Sequence, residues 1–406
     1  MSNSASPRQQ VLIVGAGPVG LTTALGLAQA GIPVTVIEQE PALTTDLRAG
    51  TFHPPTLEAL APLGVTEQFL KIGLQVPRWQ IRDRHSGVIA EFDLGAIADV
   101  TPYPYRFHCE QFKLTPILLD RLRQHPHATV RFSVAFEGLC QTADGVVATV
   151  AGPAGREEIR AAYVVGADGG RSVVRKSMAV DFPGYTWPER FLVAGTRFDL
   201  GAHGFTPNAY VADPVEFCAI FKMPYDQPGG LWRVLFPTDA NVPEEEVLRD
   251  DNVERLLQGL LPKPGRYEVL HKGTYRVHQR VASTFRVGRV LLAGDAAHLN
   301  NPLGAMGLNS GIHDAANLYP KLAAVMRGEA DETLLDAYVR QRRTITIEFV
   351  QEISIRNKRL LEERDPAVRA ERLEEVRRTA ADLGLAREFL LKSSMIAAVR
   401  RAAAIL

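Results

Sequence analysis

The stretch VLIVGAGPVGLTTALGLAQAGIPVTVIEQE, from Val11 to Glu40, constrains the fold of this chain more than any other. A short aliphatic run, Val11 to Val14, meets glycines at GxGxxG spacing, Gly15, Gly17 and Gly20. Small and apolar residues at helical spacing follow, and then a second aliphatic run. The pattern reads as strand, tight turn, helix, strand. The first two glycines permit a sharp turn and a close backbone approach to a ligand, the third permits close helix packing, and the exposed N–H groups of the helix start attract a pyrophosphate. Gly15, Gly17, Pro18, Val19 and Gly20 are therefore candidate phosphate-binding residues, and Glu38 is placed to accept hydrogen bonds from a ribose. That acid disfavours a 2′-phosphate, so NADP is not expected in this turn. A lone GxGxxG also fits a glycine turn in any α/β protein. The strand, helix, second strand and acid together point to a dinucleotide, and at this stage FAD and NAD both remain open.

A simple NAD dehydrogenase continues in regular βαβ units, whereas this chain returns to a glycine turn twice, each time after more than a hundred residues. The first return is GADGGRSVVR, Gly166 to Arg175; the second lies in GRVLLAGDAAHLNNPLGAMGLNSGIHDAANL, Gly288 to Leu318. Between them, from about Asp181 to Arg280, Pro, Gly and aromatics punctuate alternating stretches such as EFCAIFK and LWRVLFPT, the texture of antiparallel strands. Trp79 to Leu94 alternates in the same way. Beyond Glu329 the chain is charged and helical in pattern. The expected fold is α/β: a discontinuous Rossmann-like dinucleotide-binding domain over residues 8–75, 98–180 and 281–330, a β-rich substrate domain over 76–97 and 181–280, and C-terminal helices over 331–406.

At 406 residues, 46% hydrophobic and 23% charged, the chain is long enough for two or three packed units. Lys plus Arg and Asp plus Glu are equal at 46 each, so no overall field recruits nucleic acid. Three widely spaced cysteines, Cys109, Cys140 and Cys218, exclude a disulfide scaffold and fit a reducing compartment. The polar start MSNSASPRQQ does not read as a secretory signal, and no apolar run reaches the roughly 18 residues that cross a bilayer. The expected address is the cytoplasm.

Taken together and in this order, GAGPVG, GADGGRSVVR and the AGDAAH to GAMGLN run resemble the single-component aromatic flavoprotein hydroxylases typified by para-hydroxybenzoate hydroxylase and 3-(3-hydroxyphenyl)propionate hydroxylase. The resemblance spans roughly Val11 to Leu318. It implies FAD as the bound cofactor, NADH or NADPH as a transient co-substrate, and hydroxylation of an electron-rich phenolic or hydroxylated heteroaromatic ring with O2 through a flavin hydroperoxide. In AGDAAH, Gly294 and Asp295 are implied to hold the ribityl chain. A carboxylate buried at an apolar strand's end is costly without partners, and ligand hydroxyls would satisfy it, although an N-cap role would too. The run Gly304 to Asn309 is implied to set the amides of Gly307, Leu308 and Asn309 at a helix start facing the flavin ring, where reduction builds negative charge. Asp168 and Gly169, with Arg171 and Arg175, match the motif near the pyrophosphate and NAD(P)H; Gln111 and Arg48 match positions at the FAD ribose and phosphates.

The substrate side is written less plainly. By analogy the backbone carbonyl of Pro302 borders the substrate, and Tyr210, Phe221, Trp232, Arg233 and His203 are candidates for the pocket wall, with core packing or plain exposure as the competing reading for each. His298 is a candidate base, with a structural place beside the flavin loop as the stronger reading. No metal-ligand spacing is seen. The chain departs from the family where Asn301 stands before Pro302, where GAMG replaces GGxG, and where Tyr319 and Pro320 stand instead of a Trp. Halogenases of related build carry WxWxIP, which is missing, since Trp79, Trp187 and Trp232 stand alone. An oxidoreductase or epoxidase acting on a lipid or polyketide-like substrate is the alternative, and flavin binding without catalysis is a further one. The last helix is expected to pack or to oligomerise, a homodimer included.

Overall fold

The computed structural model describes residues 10–46, 49–225 and 230–406. Its first sheet runs in the order Arg286–Val287, Val290–Leu292, Tyr163–Gly166, Val11–Val14, Val34–Ile37, Ala128–Arg131. The neighbours pair in parallel except at the Arg286–Val287 edge. Every residue of Val11–Val14 is buried, which explains the unbroken aliphatic run: a parallel sheet is covered on both faces. Helices Pro18–Gln29, Gln111–Leu122 and Met306–Met326 pack together beside it. Gly26 sits where they meet, since a Cβ there would lie 2.4 Å from the Tyr319 ring.

The second sheet has eight strands in the order His298–Leu299, Val269–Val281, Gly184–Thr196, Leu231–Asp239, Cys218–Met223, Asn208–Ala212, Arg78–Asp83, Gly87–Asp93. Only the Asn208–Ala212 and Arg78–Asp83 pair is parallel. The alternating stretch at Trp79 thus joins this sheet from a distant part of the chain. Helix Asp250–Leu260 covers one face, closing a core around Trp232, Phe236 and Leu256.

The opposite face is covered by the charged C-terminal region. Glu352–Leu361, Pro366–Ala381 and Leu383–Ser393 contribute Leu361, Leu373 and Leu390 to a core that includes Trp79, Phe92 and Tyr210. These helices have narrow apolar stripes and wide charged ones, as expected of helices with one buried side. No helix among the described residues is long and apolar enough to cross a membrane.

Candidate active site

The three glycine turns stand at the carboxyl ends of three adjacent parallel strands, after Val14, Gly166 and Leu292. Open parallel sheets place their ligands at such strand ends. Gly15 adopts φ +107°, and a Cβ on it would lie 2.4 Å from the Ala167 carbonyl oxygen of the second turn; one on Gly20 would lie 2.0 Å from the Gly15 carbonyl oxygen. Those two glycines are required by the protein's own backbone. Gly17 differs: nothing lies within 4 Å of where its Cβ would be. The helix that starts beside it, Pro18–Gln29, has no side-chain cap, so its first N–H groups keep their hydrogen-bonding capacity for an anion. The half-buried Glu38 braces this turn, its carboxylate accepting the Ala16 N–H at 2.8 Å and the Glu40 N–H at 3.1 Å.

In the second turn the Asp168 carboxylate accepts from Ser172 Oγ at 2.5 Å and from the N–H groups of Val173 and Val174 at 2.8 and 3.1 Å. Burial raises its pKa, and these hydrogen bonds oppose the rise. Gly169 turns at φ +77°. Arg175 then ties the second turn to the third, donating to Gly170 O at 3.0 Å and to Ala296 O at 2.7 Å; Arg171 is exposed.

The third turn corrects one expectation and, for His298, agrees with the structural reading over the candidate base. Asp295 is exposed, not buried, because the strand ends at Leu292 and the 3-10 turn Gly294–Ala296 swings the side chain outward. His298 is fully buried, and its Nε2 lies 2.8 Å from Asp314. Asp314 in turn accepts from Arg342 Nε at 2.7 Å and from the Gly294 N–H at 3.0 Å. Burial alone would raise the Asp314 pKa, but His298 and Arg342 outweigh it and bring it down to about 2. His298 is thus a partner in a buried ion network that fixes the turn against Met306–Met326, with no access for a base to reach a substrate.

The GAMGLN loop is riveted to the segment before Pro54. Ala305 caps the long helix at φ 56°, and its N–H donates to the Pro302 carbonyl at 3.0 Å, so that carbonyl holds the turn. Asn309 uses its whole carboxamide: Nδ2 donates to Thr51 O and Ala305 O, and Oδ1 accepts from the His53 N–H and Thr56 Oγ1. Its backbone N–H sits where the helix's own acceptors begin, which leaves the amides of Gly307 and Leu308 in the unsatisfied first turn. His53 Nε2 lies 2.9 Å from Gly304 O. Burial and then the charge of Arg106 lower the His53 pKa to about 3. His53 and Thr56 were not readable as site residues; the sole signal is polar side chains flanking Pro54-Pro55 at a helix start.

Beside this loop lies a cavity of about 630 Å³ between the eight-stranded sheet and the C-terminal helices, reaching Gly304 and Met306. Its walls include Trp79, Phe92, Arg106, Tyr210 and Phe389. Phe389 is 4.5 Å from Phe92 and 5.8 Å from Trp79 between ring centroids. The Tyr210 hydroxyl accepts the Gly304 N–H at 3.2 Å, joining wall and loop. Among the expected wall residues, Tyr210 is there. Phe221 lies behind it, edge-on at 6.0 Å. Arg233 is buried farther along its strand, near Glu110 and Tyr275. Trp232 points to the opposite face, its Nε1 donating to Asp199 at 3.1 Å, because successive strand residues alternate. His203 is exposed and stacks on Phe198. Gln111 opens helix Gln111–Leu122 and is half-buried, and Arg48 lies outside the described residues.

With this geometry in place, comparison with known proteins adds three findings. The profile of a family described as FAD binding domain matches residues 8–353. The chain is 36% identical over 383 residues to para-nitrophenol 4-monooxygenase of Pseudomonas sp. (strain WBC-3), covering 94% of each. It is 36% identical over 362 residues to 6-hydroxy-3-succinoylpyridine 3-monooxygenase of Pseudomonas putida (strain DSM 28022 / S16), covering 89% of this chain and 91% of that one. Among solved structures, p-nitrophenol 4-monooxygenase from Pseudomonas putida DLL-E4 superposes with a TM-score of 0.91 at 35% identity, over 97% of this chain and 98% of that one.

Proposed function

The chain belongs to the FAD-binding family of single-component aromatic hydroxylases, and from that premise we propose which residues carry its chemistry and what ring it takes. It is an FAD-dependent monooxygenase that hydroxylates an aromatic compound with NAD(P)H and O2. The observation that carries the residue assignment is the meeting of three uncapped or glycine-lined turns at adjacent strand ends, with the cavity opening at Gly304.

Gly15, Gly17, Pro18, Val19 and Gly20 would hold the pyrophosphate, and Glu38 and Gln111 the ribose. Asp168 and Gly169 would flank the pyrophosphate, Gly294 and the outward Asp295 would take the ribityl chain, and the amides of Gly307 and Leu308 would face the ring. The open space at Gly17 and the uncapped helix beside it fit such a group. When bound, FAD supplies the two-electron exchange with NAD(P)H and the activation of O2. The protein's share is to orient the substrate ring against Gly304, exclude water and stabilise charge. Residues 8–75, 98–180 and 281–330 form the cofactor unit in this reading, and 76–97 with 181–280 supply the floor of the substrate cavity.

The relatives act on a nitrophenol and a hydroxypyridine, and a small phenol or hydroxypyridine fits a cavity of this size and aromatic lining. The cytoplasm is the compartment that suits Cys109, Cys140 and Cys218, all free. We infer a homodimer, a reading that the exposed Leu383 and Leu385 support. The test is NAD(P)H oxidation by the FAD-loaded protein with 4-nitrophenol and 6-hydroxynicotinate. Oxidation accelerated with an oxygenated product bears the reading out; acceleration without product, or none with any phenol or hydroxypyridine, overturns it. For the cradle, Gly17→Ala is expected to leave the fold's stability unchanged within about 0.5 kcal/mol while weakening FAD retention, because the added methyl meets no protein atom. Unchanged retention would remove the pyrophosphate from that turn.

A further inference from the structure

Arg106 is a buried cation with no counter-ion among the described residues. It is 2% exposed. Its Nη1 donates to the Asn208 carboxamide, the Tyr210 hydroxyl is its other polar neighbour, and its guanidinium lies 4.2 Å from the centroid of the Trp79 ring. None of these carries a negative charge. His53 and His108 also lie near it, and both imidazoles are held neutral, by burial first and by this same guanidinium. An arginine keeps its proton in a protein, and a buried ion without an opposite charge carries a large desolvation penalty.

Two donors there lack acceptors among the described residues: the Nε of Arg106 and the indole Nε1 of Trp79, itself 3% exposed. Both residues line the cavity that reaches Gly304. Buried polar atoms in native proteins are almost always satisfied, so two adjacent unsatisfied donors and one uncompensated positive charge describe the complement of an absent ligand. That ligand is an acceptor, carries negative charge, and is attached to something flat enough to lie among Trp79, Phe92 and Phe389.

Resting on the hydroxylase reading above, we propose that Arg106 and Trp79 Nε1 form an anion subsite that makes this cavity select aromatic substrates bearing a negatively charged oxygen group. A phenolate and a carboxylate share that chemistry, and the test separates them. The FAD-loaded protein is dialysed to equilibrium, without NAD(P)H, against two matched pairs at a pH above each acid's own pKa: 4-nitrophenol with 4-nitroanisole, and 3-hydroxybenzoate with 3-hydroxybenzamide. The anionic member of at least one pair is expected to bind about 10- to 100-fold more tightly than its neutral twin, the range for a charge-assisted hydrogen bond in a dry site. The pair that shows the preference names the group.

Arg106→Met should abolish that preference, and Arg106→Lys should restore part of it, since an ammonium keeps the charge and loses the planar fork. Should Arg106→Met fail to fold or to hold FAD, Trp79→Phe takes its place. It keeps the aromatic wall and removes one donor, with an expected loss of about 3- to 10-fold for the anionic ligand and none for the neutral one. Equal binding within both pairs, no binding by any of the four compounds, a preference that survives Arg106→Met, or one that Trp79→Phe leaves undiminished overturns the subsite. Binding is read without turnover, so a preserved preference with no hydroxylated product overturns the hydroxylase reading and leaves the subsite standing.

Discussion

Trp232 and Trp79 stand on opposite faces of one eight-stranded sheet, and both are buried, at 0% and 3% exposure. The indole N–H of Trp232 donates to Asp199, whereas that of Trp79 has no acceptor among the described residues. The same division holds for tyrosines. Tyr267, on the Trp232 side, donates its hydroxyl to Leu261 O at 2.5 Å inside the core; Tyr210, on the Trp79 side, receives the Gly304 N–H from the loop that leads into helix Met306–Met326. Burial is nearly equal for the two indoles, and the hydrogen bonding of their N–H groups is not. What distinguishes Trp79 from Trp232 is an unmet donor at the cavity wall, not exposure or hydrophobicity.

Three changes test that division. The largest effect belongs to the core face. Trp232→Ala removes a fully buried indole from a dry cluster and should lower unfolding free energy by about 3–5 kcal/mol, read by denaturant titration. The protein that remains folded should bind substrate as before. A change in substrate affinity with little loss of stability would mean that the two faces are not separate.

The second effect is acid sensitivity, and it belongs to the cavity side. Burial, reinforced by nearby guanidiniums, lowers the pKa of His53 and His313 from 6.5 to about 3 and that of His108 to about 4. Below pH 6.5 the unfolded chain binds protons at these positions that the folded chain resists. The stability they contribute is therefore complete above pH 6.5 and is lost as pH falls toward 4, at about 1.4 kcal/mol per pH unit for each imidazole. His53→Gln should flatten the dependence by one such increment; an unchanged slope would place the acid sensitivity elsewhere.

The smallest effect is a matched pair. Tyr210→Phe and Tyr267→Phe each remove one buried hydroxyl and should each lower stability by about 1 kcal/mol. Only Tyr210→Phe should raise the KM for the aromatic substrate, because only that hydroxyl holds Gly304. An equal change in KM for both would erase the distinction.

The glycine turns could be read in the sequence because a backbone approach as close as that of Gly15 to Ala167, with a Cβ at 2.4 Å, admits no other residue. The strand at Trp79 was equally legible from its alternation, but its neighbour in the sheet was not. Choosing Trp232 as a wall residue failed for a related reason: a one-residue step along Leu231–Asp239 changes the face, and sequence alone does not say which face looks toward the cavity. Charge hid the part played by the C-terminal helices, since Leu361, Leu373 and Leu390 are sparse among arginines and glutamates and only their common packing shows their role. The link from the His53 main-chain N–H to the Asn309 carboxamide oxygen spans 256 residues, a pairing that no local pattern announces.

Phe389 closes over Trp79 and Phe92 from the opposite end of the chain. A ribosome making this protein delivers all three glycine turns, and with them the cofactor cradle, well before it delivers Phe389. The chamber beside the cradle lacks this part of its roof until helix Leu383–Ser393 has emerged and docked. The capacity to enclose a substrate is therefore acquired later than the capacity to hold the cofactor.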